Sequence, residues 1–433
     1  MNRPLAASGL GRTVLWAAVL GTITGCGTKT PRETGDSVLA KSPDPGEPVN
    51  DPSTSPPTPE DEKTGRPPAT VDGKQPPLKR ATIEPPQRGT PQWYVQQMLL
   101  LRFKKYPATD DVQKLRALRR ERNLKIVKLA EEAAALTHKD PELQEVFNAV
   151  VHQWVEARVR IALLGGRDDI LDLYDLAAVL YKRDKTSKAA AEAAYKVALF
   201  ANTNANRYPD PKMGWLDEFV KRARLFATDF PQEKGRAVRL LDVAGRSCEL
   251  NRRVHDAIKC YDQIRKQFPD MVQAKYATAV LRRLMLKGRA LELSGPAIDG
   301  NYIDIKDYAG KVVLVAFWAT DRKQCHDVVP KLQTLAKRYK NAGFEVIGVN
   351  LDKEEPPVDA FLEKTGITWP QIFHTDRAKR RWDNPIAQYY AIRDLPTLWL
   401  VDRRGVTIDT HVQPDTLDAR LRQLLRIRSA AKR

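Results

Sequence analysis

The spacing of apolar residues changes along this chain and divides it into three parts. Between residues 91 and 288, apolar residues recur at three- and four-residue intervals, which is the period of an amphipathic helix. From residue 289 to 433 the pattern becomes short continuous apolar runs, such as KVVLVAF and FEVIGVN, separated by turns and helical stretches. Strands that alternate with helices indicate a sheet covered on both faces. We therefore predict a multidomain protein in which an all-α domain, residues 91–288, precedes an α/β domain, residues 289–433.

One helical segment has the spacing of a tetratricopeptide repeat (TPR). In LLDVAGRSCELNRRVHDAIKCYDQIRKQFPD, two small residues, an aromatic residue and a turn proline fall at the positions of that repeat. They are Gly245, Ala257, Tyr261 and Pro269. Because such repeats cannot bury their apolar faces alone, they stack on neighbouring helices. The α domain is therefore expected to be TPR-like, and it could act as a structural spacer or as a docking surface for a protein partner.

The residues before position 91 predict export and an extended tether. Arg3 and Arg12 precede the run TVLWAAVLGTITG, which is too short to span a bilayer but suits the core of a signal peptide. The ITGC sequence resembles a bacterial lipobox, so we interpret residues 1–25 as a lipoprotein signal peptide and Cys26 as the lipid-attachment residue. Residues 26–90 are rich in proline and charge and too poor in apolar residues to offset the entropy of ordering. A disordered linker is therefore predicted between the anchor and the folded domains.

The net charge of +18 suggests an anionic partner. A strongly basic protein suits nucleic acid, an anionic membrane surface or acidic polymers. The predicted location is the bacterial cell envelope, lipid-anchored on the periplasmic side, and no nucleic-acid partner is expected there. The basic excess near the start of the helical domain is then either a solvated helix face or an attraction to anionic lipid headgroups.

Three motifs in the C-terminal part carry a family resemblance. GKVVLVAFWAT matches a strand that leads to an active site, Pro330 matches a proline in the following helix, and DLPTLWLVD matches a loop that contains a cis-proline. On these motifs, residues 291–425 resemble the thioredoxin fold of the TlpA/ResA-like type, a family of envelope-anchored thiol:disulfide oxidoreductases. The resemblance implies that Pro396 is cis. It also implies that Trp318, Leu395 and Pro396 line a groove for an extended protein or peptide partner.

That family carries a Cys-x-x-Cys motif, and this sequence has only half of it. Arg322-Lys323-Gln324-Cys325 stands at the motif, so an arginine replaces the attacking cysteine. At the first turn of a helix that sulfur would be stabilised as a thiolate by the helix dipole and the free backbone amides. Thiol exchange also proceeds through a mixed disulfide, which a second thiol must release. Dithiol turnover is therefore predicted to be lost or severely weakened.

The surroundings of Cys325 point in the same direction. Ala316 and Val328 stand where the resemblance implies an acidic or amide group and a glutamate that serve proton transfer. The peroxiredoxin pattern does not fit either, because it has a threonine three residues before its cysteine and Arg322 stands there. The cationic neighbours Arg322 and His326 would favour a thiolate, whereas burial would oppose it. A packed and inert thiol is the favoured interpretation of Cys325, the remaining candidate catalytic residue.

Three hypotheses for the function follow. The leading one is a weakly catalytic or non-catalytic binding module, which pairs an extended peptide with Leu395 and Pro396 while the helices dock a protein partner. The alternatives are a one-thiol redox protein that uses Cys325 for exchange or oxidant sensing, and a helical scaffold. No cofactor is expected, and the histidines have no metal-ligand spacing. Cys248 and Cys260 lie on the two helices of the TPR-like segment; two unbridged buried thiols are the favoured interpretation, and a disulfide between them is the alternative.

Overall fold

The computed structural model of the protein describes residues 85–426. The predicted signal peptide, the lipid-attachment residue Cys26 and the predicted linker as far as residue 84 lie outside the described residues. The described residues form two compact units that meet in sequence between Glu233 and Lys234. Within residues 85–426, no helix is both long and apolar enough to cross a bilayer.

The first unit is helical throughout its described part. Its helices are α1 (Pro91–Phe103), α2 (Val112–Thr137), α3 (Gln144–Ala162), α4 (Arg167–Arg183), α5 (Lys188–Arg207) and α6 (Trp215–Asp229). Side-chain oxygens cap the backbone N–H groups that have no partner at a helix start. The Asp111 carboxylate accepts from the N–H groups of Gln113 and Lys114, and the Ser187 hydroxyl accepts from that of Ala190. The helical period of the sequence and its capping residues therefore agree with the observed elements.

Apolar stripes on these helices form the core of the first unit. Phe147 and Trp154 of α3 are among its largest buried side chains. Arg158, also buried on α3, has its charge balanced by Asp172 Oδ2 at 2.7 Å and by Glu131 Oε1 at 3.4 Å. A buried guanidinium requires such partners, because an unpaired charge in the interior is costly.

Three helices open the second unit: α7 (Lys234–Leu250), α8 (Val254–Gln267) and α9 (Val272–Leu284). Helices α7 and α8 form the predicted TPR-like pair. A Cβ atom at Gly245 would lie 2.8 Å from the ring of Tyr261, so only glycine lets the two helices approach this closely. The Tyr261 hydroxyl donates to Glu249 Oε1 at 2.9 Å. The glycine and the aromatic residue of the repeat pattern are therefore in direct contact, as their spacing predicts.

A five-stranded sheet forms the centre of the rest of this unit. A hairpin of β1 (Ser294–Pro296) and β2 (Tyr302–Asp304) comes first, and the sheet contains β3 (Val312–Trp318), β4 (Phe344–Asn350), β5 (Gln371–Ile372), β6 (Thr397–Val401) and β7 (Thr407–Asp409). Its order is β5–β4–β3–β6–β7, in which β3, β4 and β5 are parallel and β6 is antiparallel to β3 and β7. The helices of this part are α10 (Lys323–Tyr339), α11 (Pro356–Thr365), α12 (Pro385–Tyr389) and α13 (Pro414–Leu424).

The central strand β3 sends alternate side chains into two separate cores. The core on one face includes Tyr390 and Trp399, and the core on the other face includes Leu332 of α10 and Leu417 of α13. Every residue of β3 is buried, as expected for a strand covered on both sides. The predicted α/β domain with a buried KVVLVAF strand is therefore confirmed.

Candidate functional site

The loop after β3 carries the positions of the family motif, and a buried aspartate anchors it. Asp352, which follows β4, accepts hydrogen bonds from the backbone N–H of Thr320 at 2.8 Å and from its hydroxyl at 2.7 Å. The same carboxylate accepts from Asn350 Nδ2 at 2.7 Å. Charge-assisted hydrogen bonds of this kind are stronger than neutral ones. The loop therefore enters α10 in a well-determined conformation.

Arg322 is the residue that immediately precedes α10. Its backbone is extended, with φ −112° and ψ 108°, and its side chain is 44% exposed. Arg322 Nε lies 3.5 Å from Asp321 Oδ1, and the other oxygen of Asp321 is 2.7 Å from Arg381 Nη2. The guanidinium thus lies at the exposed N-terminus of the helix, where the resemblance implies the attacking sulfur. It supplies charge and hydrogen-bond donors, but it has no lone pair with which to attack a disulfide.

Cys325, on the first turn of α10, points into the protein interior. It is 1% exposed. It packs in a small apolar cluster with Trp318, Val358 and Phe373. A disulfide of another molecule cannot reach a sulfur in this position without local opening of the structure.

Burial also raises the pKa of the Cys325 thiol, to about 11. The negative charges of Asp352 and Asp321 act in the same direction. A backbone hydrogen bond from Ala319 and the positive charge of Arg322 oppose the increase in pKa, but they do not outweigh burial. Burial is therefore the largest influence on this thiol, which is the direction that the sequence analysis favours.

A cavity of about 20 Å³ lies beside the thiol and holds no more than one water molecule. Apart from Cys325 itself, the residues that line it are apolar. They include Ala316, Val328, Trp369, Pro396 and Leu398. Ala316 and Val328 are the two positions where the resemblance implies proton-transfer groups. The surroundings of the thiol therefore contain no acid or amide at either place.

The predicted groove residues meet beside this cavity. The Leu395–Pro396 peptide bond is cis, as predicted, and both residues are half-buried. Leu395 packs against the cluster that holds Cys325, and Pro396 lines the cavity. Trp318 lines the same cavity as Pro396, and its indole Nε1 donates to Gln371 Oε1 at 2.9 Å. Its ring is buried in the apolar cluster that holds Cys325, so its part in binding a peptide stays a prediction.

Two polar residues that no motif identified complete the site. Asp352 anchors the loop, and Gln371 fixes the indole of Trp318. Gln371 fits because its neighbour in the sheet is Gly348, where a Cβ atom would lie 1.8 Å from Gln371 Oε1. In the sequence, each of these two residues is only a polar residue next to or within a buried strand. That signal is too general to identify a functional site.

The other candidate residues do not join this site. The ring of His326 contacts the carbonyl oxygen of Thr320, with Nε2 at 2.7 Å, and lies against the ring of Phe361. Cys248 of α7 and Cys260 of α8 are both buried, and neither belongs to the apolar cluster that holds Cys325.

Residues 287–409 match the model of the AhpC/TSA family. The thiol-disulfide oxidoreductase ResA of Halalkalibacterium halodurans is 29% identical over 114 residues, which are 26% of this chain and 61% of the relative. The thiol-disulfide oxidoreductase ResA of Geobacillus kaustophilus is 32% identical over 108 residues, which are 25% of this chain and 58% of the relative. The chain therefore spans about three fifths of the length of these relatives.

Solved structures of similar proteins each cover about a third of the chain. The thioredoxin domain of a thiol-disulfide oxidoreductase from Bacteroides vulgatus is 26% identical and covers 32% of this chain and 97% of that chain, with a TM-score of 0.29. A thiol:disulfide interchange protein from a Bacteroides species is 26% identical and covers 33% of this chain and 90% of that chain, with a TM-score of 0.29. Together with the motifs and the sheet order, the sequence matches identify the C-terminal part of this protein as a thioredoxin-fold domain of the TlpA/ResA-like type.

Proposed function

We propose that this protein is a thioredoxin-like module that binds an extended peptide or protein segment and does not turn over disulfides at a useful rate. One observation carries the proposal: Arg322 stands at the tip of α10, and the only sulfur beside it, that of Cys325, is buried with a pKa raised to about 11. The proposal thus separates the thioredoxin fold from the dithiol chemistry of its relatives.

Both steps of disulfide exchange lack a competent group. The first step requires a thiolate, and a thiol of pKa about 11 is ionised in only about one molecule in 10⁴ at pH 7. The second step requires another thiol next to the mixed disulfide, to break it by internal attack. Arg322 occupies that neighbouring position, so a mixed disulfide formed at Cys325 would have no internal route to release.

The binding surface does not depend on these sulfurs. Leu395 and Pro396 are half-buried and immediately precede β6, so this segment is partly accessible. Extended peptides bind such edges through main-chain hydrogen bonds, while side-chain pockets supply specificity. We infer that the partner lies along Leu395–Pro396, next to the exposed guanidinium of Arg322.

Insulin reduction in the presence of dithiothreitol tests the catalytic part of the proposal. Wild-type protein and Cys325→Ala should both remain at the background rate. Arg322→Cys should gain turnover, because it restores a sulfur at the N-terminus of α10, where backbone amides favour a thiolate. Turnover by the wild-type protein that is lost in Cys325→Ala would refute the proposal and support the one-thiol alternative.

A trapping variant tests the binding part. In Arg322→Cys/Cys325→Ser, the new thiolate attacks the interchain disulfide of insulin, forms a bond to the sulfur of one chain and releases the sulfur of the other chain as a thiolate. Because no second cysteine is present in the motif, the mixed disulfide should accumulate and be visible on a non-reducing gel. Absence of any captured insulin chain would show that the groove accepts no peptide.

The anchoring and the location are proposed on the sequence alone. Lipidation of Cys26 would hold the protein in the bacterial cell envelope with its folded units on the periplasmic side, and its helices could then dock a further protein. Labelling of cells with radioactive palmitate should mark the wild-type protein and leave Cys26→Ala unmarked. Equal labelling of both proteins would eliminate Cys26 as the attachment site.

A further inference from the structure

Arg283 joins helix α9 both to helix α7, by a buried ion pair, and to the loop that leads to Pro396, by a hydrogen bond. Arg283 of α9 and Glu249 of α7 are both largely buried, and their Nη2 and Oε2 atoms are 2.7 Å apart. Arg283 Nε also donates to the backbone carbonyl of Tyr390 at 3.1 Å. Removal of either charge would leave the other buried without a partner, which is strongly unfavourable. The beginning of the loop is therefore firmly attached to the helices.

The preceding arginine makes a second connection to the same loop. Arg282 Nη1 donates to the backbone carbonyl of Tyr389, and its guanidinium carbon lies 3.6 Å from the centre of the Tyr389 ring. Two consecutive side chains of α9 therefore bind two consecutive carbonyl groups, those of Tyr389 and Tyr390, at the end of α12. This arrangement fixes the direction in which the chain leaves α12.

The contacts continue to the two residues that precede Leu395. The guanidinium carbon of Arg393 lies 3.7 Å from the centre of the Tyr276 ring on α9. Arg246 Nη2 of α7 lies 3.8 Å from Asp394 Oδ1. The side chains of this second pair are 50% and 78% exposed, so it contributes little by itself. The contact between Arg393 and Tyr276 is therefore the stronger of the two.

The other side of the loop contacts the surroundings of the thiol. Leu395 packs against the cluster that contains Cys325, and Pro396 lines the cavity beside it. Only one residue, Asp394, separates Arg393 from Leu395 in the sequence. Because only a few ångströms of backbone connect the two residues, a displacement of Arg393 also displaces the residues that cover Cys325.

We propose that Tyr276 and Arg393 are positioning residues, through which helix α9 holds the Leu395–Pro396 segment closed over Cys325. The TPR-like helices α7–α9 then form part of the binding module itself, because they determine the geometry of its groove. The inference rests on the proposed function in one respect only, namely that the partner binds along this segment.

Alkylation of Cys325 by iodoacetamide in the full-length protein tests the positioning role without any partner. Tyr276→Leu removes the ring and keeps an apolar side chain, and Arg393→Gln removes the cation at an exposed position. Each variant should accelerate alkylation of Cys325 about five- to thirtyfold, the change that corresponds to about 1–2 kcal/mol at 1.4 kcal/mol per factor of ten. Peptide mass spectrometry gives the rate for each cysteine separately.

Matched controls separate positioning from a general loss of structure. Arg393→Lys retains the cation and should stay close to the wild-type rate. Tyr302→Leu makes the same exchange as Tyr276→Leu at a residue of β2 that is 67% exposed, and it should have no effect. Cys248 and Cys260 are buried in α7 and α8 and serve as internal references.

A selective increase at Cys325 in both variants supports the inference. An unchanged rate at Cys325 overturns it, and so does a parallel increase at all three cysteines, because that would indicate general loosening of the unit. The trapping variant distinguishes the two proposals: with Tyr276→Leu added to Arg322→Cys/Cys325→Ser, capture of an insulin chain should fall at least fivefold. If the trapping variant captures nothing even with Tyr276 intact, the proposed function fails, whereas a selective increase at Cys325 would still support the positioning role.

Discussion

A rise in pH should reveal how strongly the interior suppresses ionisation of Cys325. Its pKa of about 11 implies a thiolate fraction of about 10⁻⁴ at pH 7, whereas an unperturbed cysteine of pKa about 8.5 has about 3% thiolate. Ionisation alone therefore makes Cys325 about 300 times less reactive than an accessible cysteine at pH 7. Restricted access should reduce the rate further, because the side chain is 1% exposed.

The assay is the rate of iodoacetamide alkylation between pH 7 and pH 11.5, measured for the peptide that contains Cys325. The logarithm of the rate should rise by about one unit per pH unit and level off only near pH 11, provided that the protein remains folded. The same peptide in the guanidinium-unfolded protein is the control, since it should level off near the ordinary cysteine pKa of about 8.5.

A plateau below pH 9 in the folded protein would refute this reasoning. It would mean that the positive charge of Arg322 and the N-terminus of α10 determine the ionisation of the thiol, and that burial does not. Cys325 would then be a thiolate at moderate pH, and the one-thiol redox hypothesis would regain its main support. Rapid alkylation at pH 7 would have the same consequence.

Three further predictions concern stability. Gly245→Ala should lower the free energy of urea unfolding by about 1–2 kcal/mol, because the new methyl group would overlap the ring of Tyr261. The control is Gly235→Ala in the same helix, where the space is open and the free energy of unfolding should change by less than about 1 kcal/mol. Equal effects of the two substitutions would contradict the packing argument. Asp352→Ala should lower the free energy of unfolding by about 2–4 kcal/mol, because it leaves buried hydrogen-bond donors without an acceptor. It should also lower the pKa of Cys325, because it removes a nearby negative charge. A loss of unfolding free energy below about 1 kcal/mol would show that Asp352 is not important as an anchor. The pKa of Cys325 is raised to about 11 in the folded protein, so the protonated thiol stabilises the fold at pH values below the ordinary cysteine pKa, and about 2–3 kcal/mol of unfolding free energy is lost as the pH rises through 11. This loss should be absent in Cys325→Ala, and parallel pH profiles of the two proteins would contradict it.

The sequence predicts those parts of the second unit that depend on local pattern. The run KVVLVAF becomes the central strand because every residue in it is apolar, and Gly245 meets Tyr261 because their spacing places them on facing helices. The burial of Cys325 was also predictable, since it lies at the position of the deeper sulfur of the motif. In each case the information is contained in a few neighbouring residues or in one repeat.

Contacts between distant residues were not predictable in this way. Arg283 and Tyr390 are 107 residues apart, and no periodicity connects an arginine on a helix with a carbonyl group in a remote loop. The change of apolar period at residue 288 marks only the place where strands begin. The two compact units divide after Glu233, because contacts between distant residues, and not the local pattern, determine that boundary. Polar contacts between α9 and the loop before Pro396 join segments whose patterns look unrelated.

The position of Arg322 explains how the fold can exist without the first sulfur. Both cores of the sheet consist of residues on the strands and the covering helices, and neither includes position 322. A large charged residue at this exposed helix start is accommodated by solvent and by Asp321, so it need not disturb the interior. Cys325 is different, because it fills space in an apolar cluster and therefore contributes to packing as a small apolar side chain would. If the proposed function is correct, loss of the outer sulfur would remove the chemistry and leave the structure, whereas loss of the inner sulfur would disturb the packing first. That difference would be a physical reason to retain one cysteine of the pair and not the other.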